Sequence, residues 1–561
     1  MTENSINKPI PPRLLIFLLG FCMFSTGASG LVNEYILATM STYILGNSIE
    51  QFSIIIASMM LMMGLSGWVQ QSISDTKLIS SFINIEVLMA ILGSFAPIAI
   101  YTAFGLLHDH FLIVHYFFIL SIGFLIGFEI PIVMRIINSY AVDIKHNLKV
   151  VYAMDYIGAF VGAIIWVKYL LHNYPLTEIS FIVSGFNFLI ASLTIIYFFK
   201  KKLITHLSIL LILAVTALLL IYGYQQNRDW NIYLEQKFYD DPIVESLTSK
   251  YQHLVLTENK KLADIRLYIN GNTQFSSLDE VRYHELLVHP AMNLAKKIDN
   301  VLILGGGDGL ALREVLKFKQ VKQVTLVDLD PQMVQLASTN THLIKLNQSA
   351  FADARVHTLV SDALTDIDVK SIYLSTQETD SVAEWAAQVD VYHIDADRFI
   401  SQLHPQKWDV VIIDFPDPSS IELTKLYSRE FYRKLKQIVN DDVVIAVQST
   451  SPYHAKEAFI TILNTIKSAG FKVLPYHQNV PSFGDWGYHL AWMNGVSVIE
   501  MKKQIKDISF FKTDSQYITA EVLNAALVFG KNELQSDHQC INTLMQPCLL
   551  NLYQNYSWLL D

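Results

Sequence analysis

The sequence predicts a multi-pass α-helical membrane domain of about seven helices, followed by an α/β domain with a small N-terminal β-hairpin region and a mostly parallel sheet. Three observations predict it. Apolar runs of membrane-spanning length recur before residue 225 and stop there. A buried-strand run at 301–304 feeds a glycine loop at 305–309 and then a helical stretch. A second strand, 323–327, ends in Asp328, about 20 residues past the glycines, which is the spacing of a nucleoside-binding unit.

The 561 residues are 52% hydrophobic and only 16% charged, with a net charge of −10. Soluble chains carry about 25% charge, and nearly all of the deficit falls before residue 225, which excludes a soluble cytosolic enzyme. Nucleic acid is excluded as a partner because phosphate neutralisation needs a basic face, and only Lys200-Lys201-Lys202 forms a basic run. Cationic ligands are favoured instead.

Crossing about 30 Å of hydrocarbon takes about 20 apolar helical residues. Seven segments qualify, near 14–37, 52–70, 79–104, 111–136, 151–171, 179–199 and 203–224. Lys8, Arg13, Lys77, Lys145, Lys149 and Lys200 to Lys202 fall on one side, whereas the loops near 38–51, 105–110 and 172–178 hold no Lys or Arg. The positive side is the cytoplasmic one, so an odd number of spans puts residue 225 onward on the other side. Glu34, Glu86, Glu129, Arg135, Asp155 and Lys168 lie within the spans. They read either as a polar path for a cationic solute or as helix pairing and snorkelling, the second suiting Arg135 and Lys168.

Cys22, Cys540 and Cys548 suit neither a disulfide framework nor a zinc site. Two free thiols at 540 and 548 are the expectation, with one bridge if the C-terminal part faces an oxidising compartment.

Beyond Tyr224, residues 251–257 and 264–270 alternate as a β-hairpin with Asn270-Gly271 at its end. Residues 279–285 read as a helix ending before Pro290. In the glycine loop, Gly305, Gly306 and Gly307 let the backbone approach a ligand and aim helix N–H groups at it, in a Rossmann-like arrangement. Asp308 stands where a dinucleotide pyrophosphate would sit. Its charge repels phosphate and attracts an amine or sulfonium, so an adenosyl-sulfonium ligand is expected rather than NAD. Asp328 suits ribose hydroxyls. A third apolar strand, 408–413, delivers Asp414 and Asp417 to the same crevice, as a cation-binding acid/base pair or as a plain acidic turn held by Pro416 and Pro418. The domain bounds are 1–225 for the membrane part, 226–290 for the linker and β subdomain, 291–505 for the nucleoside-binding domain and 506–561 for a C-terminal helical extension.

The stretch from Gly271 to Glu280, then Tyr283-His284-Glu285, His289-Pro290-Ala291, Gly305 to Gly309, Asp328-Leu329-Asp330, Asp414 to Pro418 and Leu426 to Tyr432 resemble the spermidine synthases, the polyamine aminopropyltransferases, over roughly residues 240–500. Gly27 to Tyr35, Phe128-Glu129-Ile130-Pro131 and Asp155 to Ala159 are similar to a membrane-embedded branch of that family. The resemblance implies a class I methyltransferase-type sheet and transfer of an aminopropyl group from decarboxylated S-adenosylmethionine to an amine such as putrescine, giving spermidine and methylthioadenosine. It implies no metal and no resident cofactor, the donor being a co-substrate. By the same resemblance Asp414 is the base and Asp417 supports it. Asp308 anchors the aminopropyl amine, Gln274 and Tyr283 hold donor and acceptor, and Asp328 takes the ribose. His284 either joins the pocket or packs. Where many family members have Pro-x-Tyr, this chain reads Pro481-Ser482-Phe483, so Phe483 lacks a polyamine-contacting hydroxyl, and Asp485 is a replacement charge. Either Asp362 or Asp395 is the adenine binder, the residues between them looking like an insertion.

Polyamine and nucleoside substrates, a lipid bilayer, a bacterial inner membrane and a homodimer complete the expectation. The competing readings are a methyltransferase using intact S-adenosylmethionine, on the shared fold, and a membrane polyamine carrier or sensor. On sidedness, a donor made in the cytosol opposes the charge count unless one segment is re-entrant.

Overall fold

A computed structural model describes residues 13–45, 48–107, 110–140, 144–200, 207–351, 356–359, 388–402, 407–509, 511–536 and 538–556. The chain divides into two compact units, Met1–Asp240 and Asp241–Asp561.

The first unit is a bundle of long helices: α1 (Arg13–Leu45), α2 (Ser48–Val69), α3 (Leu78–Leu106), α4 (Phe111–Tyr140), α5 (Ile144–Ile165), α6 (Leu176–Lys200) and α7 (Leu207–Glu235). Six of them, α2 to α7, are long and apolar enough to cross a membrane among the described residues. Seven such spans were expected; α1 is the further long helix, and its Leu19, Cys22 and Met23 are fully buried in the bundle. The apolar surface faces outward as well as inward, with Trp68 70%, Ile113 68% and Phe160 66% exposed. A water-soluble bundle would cover such side chains. The last helix runs on to Glu235, ten residues past the point where the sequence turns polar, because an amphipathic continuation still packs Leu234.

Small residues let the helices of this unit approach closely. A Cβ on Gly158 of α5 would lie 2.0 Å from the Phe24 carbonyl oxygen of α1, and one on Gly27 would lie 2.3 Å from that of Asp155. This seam accounts for the two glycine-containing motifs of α1 and α5. Glu86 and Glu129 are buried, and Asn187 donates to Glu86 Oε2 at 3.1 Å while accepting from Ser25 at 3.3 Å. Glu34 and Asp155 are partly buried. Arg135 caps the end of α2 by donating to the carbonyls of Gln70 (2.8 Å) and Ile73 (2.6 Å), so helix termination explains it, whereas Lys168 is exposed in a π-helical turn, Trp166–Leu170.

The second unit opens with a four-stranded antiparallel sheet, β1 (Ile243–Thr248), β2 (His253–Asn259), β3 (Asp264–Ile269) and β4 (Asn272–Ser276), in sequential order. Here the expected hairpin is only the central pair. β1 escaped notice because its residues are mostly exposed and lack apolar alternation.

Helix α8 (Glu280–Leu294) follows and runs straight through Pro290 rather than stopping before it. Proline removes the N–H that would bond the carbonyl four residues back, and the buried Tyr476 hydroxyl donates to that Leu286 carbonyl at 3.0 Å instead. The helix continues because its broken bond is replaced from outside.

The main sheet has eight strands in the order β11-β12-β10-β9-β5-β6-β8-β7. The strands are β5 (Asn300–Gly305), β6 (Gln323–Asp328), β7 (Val356–Leu359), β8 (Gln388–His393), β9 (Trp408–Asp414), β10 (Val439–Gln448), β11 (Lys472–Val480) and β12 (Gly484–Trp492). Pairing from β10 through β7 is parallel, and β12 is antiparallel to both of its neighbours. Side chains alternate between two cores, as period-2 strands require: Val301, Ile303, Val410 and Ile412 face one, and Leu302, Leu304, Val411 and Ile413 the other.

Against the expectation of free thiols, Cys540 and Cys548 form a disulfide. It precedes the final helix, α12 (Cys548–Tyr556), which follows α9 (Leu310–Leu316), α10 (Arg429–Ile438) and α11 (Lys456–Ser468) in this unit. Asp362 lies outside the described residues.

Candidate active site

The site forms where the central parallel strands end. β5 and β9 pair so that Gly305 stands opposite Asp414. A Cβ on Gly305 would meet the Asp414 carbonyl oxygen at 2.1 Å, and its φ of 84° is left-handed, so glycine is required on two counts. The turn brings the Gly307 N–H to Asp328 Oδ2 at 2.9 Å, and the Asp330 N–H bonds the other Asp328 oxygen at 2.8 Å. Burial pushes the Asp328 carboxyl up to about 7. Asp308 caps α9, accepting from the Leu310 N–H at 2.9 Å, and burial raises it too.

Asp414 is the centre of the arrangement. Its Oδ1 accepts a 2.6 Å hydrogen bond from Tyr283, and burial pushes its carboxyl up to about 6, with the charge of Asp308 adding to the rise. Against this stands His284, fully enclosed, with Nδ1 2.9 Å from Glu280 Oε2. Burial opposes its charge, but the Glu280 bond and the fields of Asp308 and Asp414 prevail and raise it to about 9. Glu280 is itself clamped by Arg313 at 2.7 and 2.9 Å. Glu280 and the two aspartates thus favour the protonated imidazole at His284. Its ring is buried and also packs edge-on to Tyr283, with centroids 4.9 Å apart.

Asp417, three residues on, accepts from Gln448 (2.7 Å), Thr450 (3.0 Å) and Tyr553 (2.9 Å). Gln448 cannot rotate its amide, because its oxygen accepts from Tyr427 at 3.2 Å. None of Gln448, Thr450 or Tyr553 stood out in the sequence. Gln448 ends an apolar strand, a weak signal that a second acidic-loop partner was needed.

Phe483 packs its ring edge-on to Tyr283, with centroids 5.9 Å apart. Its turn is tied to Asp279, which accepts from the Ser482 N–H and hydroxyl. Gln274 is the extra residue of a β-bulge, since Phe275 pairs with Leu267 but Thr273 pairs with Tyr268. Bulges re-aim side chains beside sites. Asp485 is engaged by His477, Nδ1 to Oδ1 2.7 Å. Asp395 caps the helix Ala396–Ile400 through the Arg398 N–H and pairs with Lys425 at 2.7 Å. It follows β8, the strand beside β6, whereas β7, which precedes Asp362, is the edge strand.

Glu285, His289 and Glu314 form a buried group with metal-ligand atoms within 4.8 Å of one another. Their charges are already answered. Glu285 accepts the N–H groups of Gln516, Tyr517 and Ile518, and Glu314 binds His289, Arg313 and Lys317. The group braces the 516–518 segment and has no need of an ion.

The Spermine/spermidine synthase domain family matches residues 280–383 and 363–503. A polyamine aminopropyltransferase 2 of Ralstonia nicotianae is 37% identical over 478 residues, covering 84% of this chain and 86% of its own. A polyamine aminopropyltransferase of Oceanobacillus iheyensis is 34% identical over 531 residues, covering 94% of both. A crystal structure of spermidine synthase with the transition state analogue AdoDATO aligns with a TM-score of 0.42 and 23% identity over 52% of this chain and 88% of that one.

Proposed function

The chain belongs to the polyamine aminopropyltransferases, and from that premise we propose how its second unit transfers an aminopropyl group from decarboxylated S-adenosylmethionine to a polyamine amine. The carrying observation is the trio of half-buried carboxylates at and just beyond adjacent strand ends, Asp328, Asp308 and Asp414, each raised by desolvation. Negative groups packed together in this way are relieved by a cation, and a sulfonium with an ammonium tail supplies two positive charges. Asp328 takes the ribose hydroxyls and Asp308 the ammonium of the aminopropyl chain. The position of β8 beside β6 favours Asp395 over Asp362 as the adenine contact.

The reaction is an in-line displacement. The acceptor nitrogen attacks the carbon bound to sulfur, the C–S bond breaks, and its electron pair returns to sulfur as the neutral thioether methylthioadenosine. The surplus proton leaves nitrogen for Asp414, whose Oδ1 is held by Tyr283. A free amine has a pKa of about 10, so a base beside it is needed at neutral pH. A carboxyl near 6 is still ionised there and closer to the amine than an ordinary aspartate. Positioning supplies the rest. Asp417 holds the distal ammonium of the acceptor, with Gln274 and Phe483 lining its path.

The first unit we read as embedding the protein in a cell membrane, supported by its outward-facing apolar surface. The test is incubation of the purified protein with decarboxylated S-adenosylmethionine and putrescine. Methylthioadenosine and spermidine are expected in equal amounts from the wild type, and about 10²–10⁴-fold less from Asp414→Asn. Equal rates from both proteins would overturn the assignment of the base. Methyl transfer from intact S-adenosylmethionine would overturn the reaction.

A further inference from the structure

The residues after 503 lie beyond the family-domain match, yet they reach into the site. Their path is fixed at Asn542, which is 1% exposed. Its N–H donates to Thr465 Oγ1 at 2.9 Å, its side-chain amide donates to the carbonyls of Thr424 (2.8 Å) and Tyr427 (3.1 Å), and its own carbonyl accepts from the Arg429 N–H at 2.9 Å. The loop so gripped carries Tyr427, whose hydroxyl bonds the Pro416 carbonyl at 3.0 Å, inside the aspartate loop. The Cys540–Cys548 disulfide closes the chain around Asn542 and leads directly into α12. Leu549 of α12 is fully buried, and one turn further Tyr553 places its hydroxyl 2.9 Å from Asp417 Oδ2.

An ionised carboxylate has about four acceptor directions. Gln448 fills one on Oδ1, and Thr450 and Tyr553 fill two on Oδ2. Among the described residues one remains, with its orientation dictated by the other three. We propose that Tyr553 is a positioning residue for the amine acceptor: from a C-terminal strap outside the family domain, it turns Asp417 so that the last acceptor direction meets the distal ammonium of a diamine. This rests on the placement of Asp417 in the acceptor pocket.

The test uses the full chain in detergent or nanodiscs. Y553F keeps the ring and loses only the hydroxyl. It is expected to raise the KM for putrescine about tenfold, because a misaligned Asp417 gives up about one charge-assisted hydrogen bond to the distal ammonium, while the donor KM and the Tm stay unchanged. A monoamine acceptor, which has no distal ammonium, should show no difference between wild type and Y553F. Y553L removes the packing as well; Y553F regains the Tm of the wild type relative to Y553L but not its acceptor KM. Unchanged putrescine KM in Y553F, or donor KM, acceptor KM and Tm worsening together, overturns the positioning role. A wild type that makes no methylthioadenosine overturns instead the reading on which it rests, and a wild type that prefers the monoamine overturns the placement of Asp417.

Discussion

At Asp414 the requirements of folding and of chemistry pull in opposite directions. An unfolded aspartate titrates near 3.9, and the folded one is pushed up to about 6 by burial. The charged form is thus the less favoured one in the native chain, and stability falls as pH rises from about 4 through 6. Asp414→Asn removes that cost. At pH 7.5 it should raise the thermal midpoint, by a stabilisation on the order of 1–3 kcal/mol, while transfer falls about 10²–10⁴-fold. Calorimetry beside a methylthioadenosine assay checks both. In the wild type kcat should fall as pH drops through about 6, because the base becomes protonated, and this limb should be absent from the residual activity of the Asn variant. His284 has the same sign for a different reason, since there it is the charged form that the fold favours. Its folded value near 9 lies above that of a free histidine, so its pairing with Glu280 stabilises the fold fully below about 6.5 and is lost as pH rises through 9.

Among the elements, α8 shows how a local rule is kept by a distant partner. Pro290 frees the Leu286 carbonyl, and Tyr476 of β11 satisfies it. Tyr476→Phe should cost about 1–3 kcal/mol, the price of a buried unsatisfied acceptor. Pro290→Ala restores an N–H to that carbonyl, so in its background the same change should cost clearly less. A double-mutant cycle of denaturant midpoints measures this. The case also separates what was legible from what was not. Gly305 to Gly309, Asp328, Asp414 and Asp417 could be read because each follows an apolar strand directly, and chain order alone carries such a site to the sheet edge. The continuation of α8 through Pro290 depends on a residue 190 positions away, and Tyr553 meets Asp417 across 136. No periodicity marks such pairs. The strands β1 and β4 were missed for a different reason, since the one is mostly exposed and the other spans five residues.

For the whole molecule the open quantity is sidedness. If α1 crosses together with the six apolar helices, the second unit lies opposite the end bearing Lys8 and Arg13. A reporter enzyme fused after Asp561 should then be active only outside the cytoplasm. An active cytoplasmic reporter would mean that α1 or one other helix turns back.

The bridge between Cys540 and Cys548 bears on the same question by independent chemistry. Such links persist in oxidising compartments and are reduced by glutathione and thioredoxin in the cytosol. The chain therefore carries a gauge of its own address. In intact cells quenched with acid, maleimide should find these two sulfurs only after a reductant has been added, and immediate labelling would place the catalytic unit among the cell's soluble metabolites.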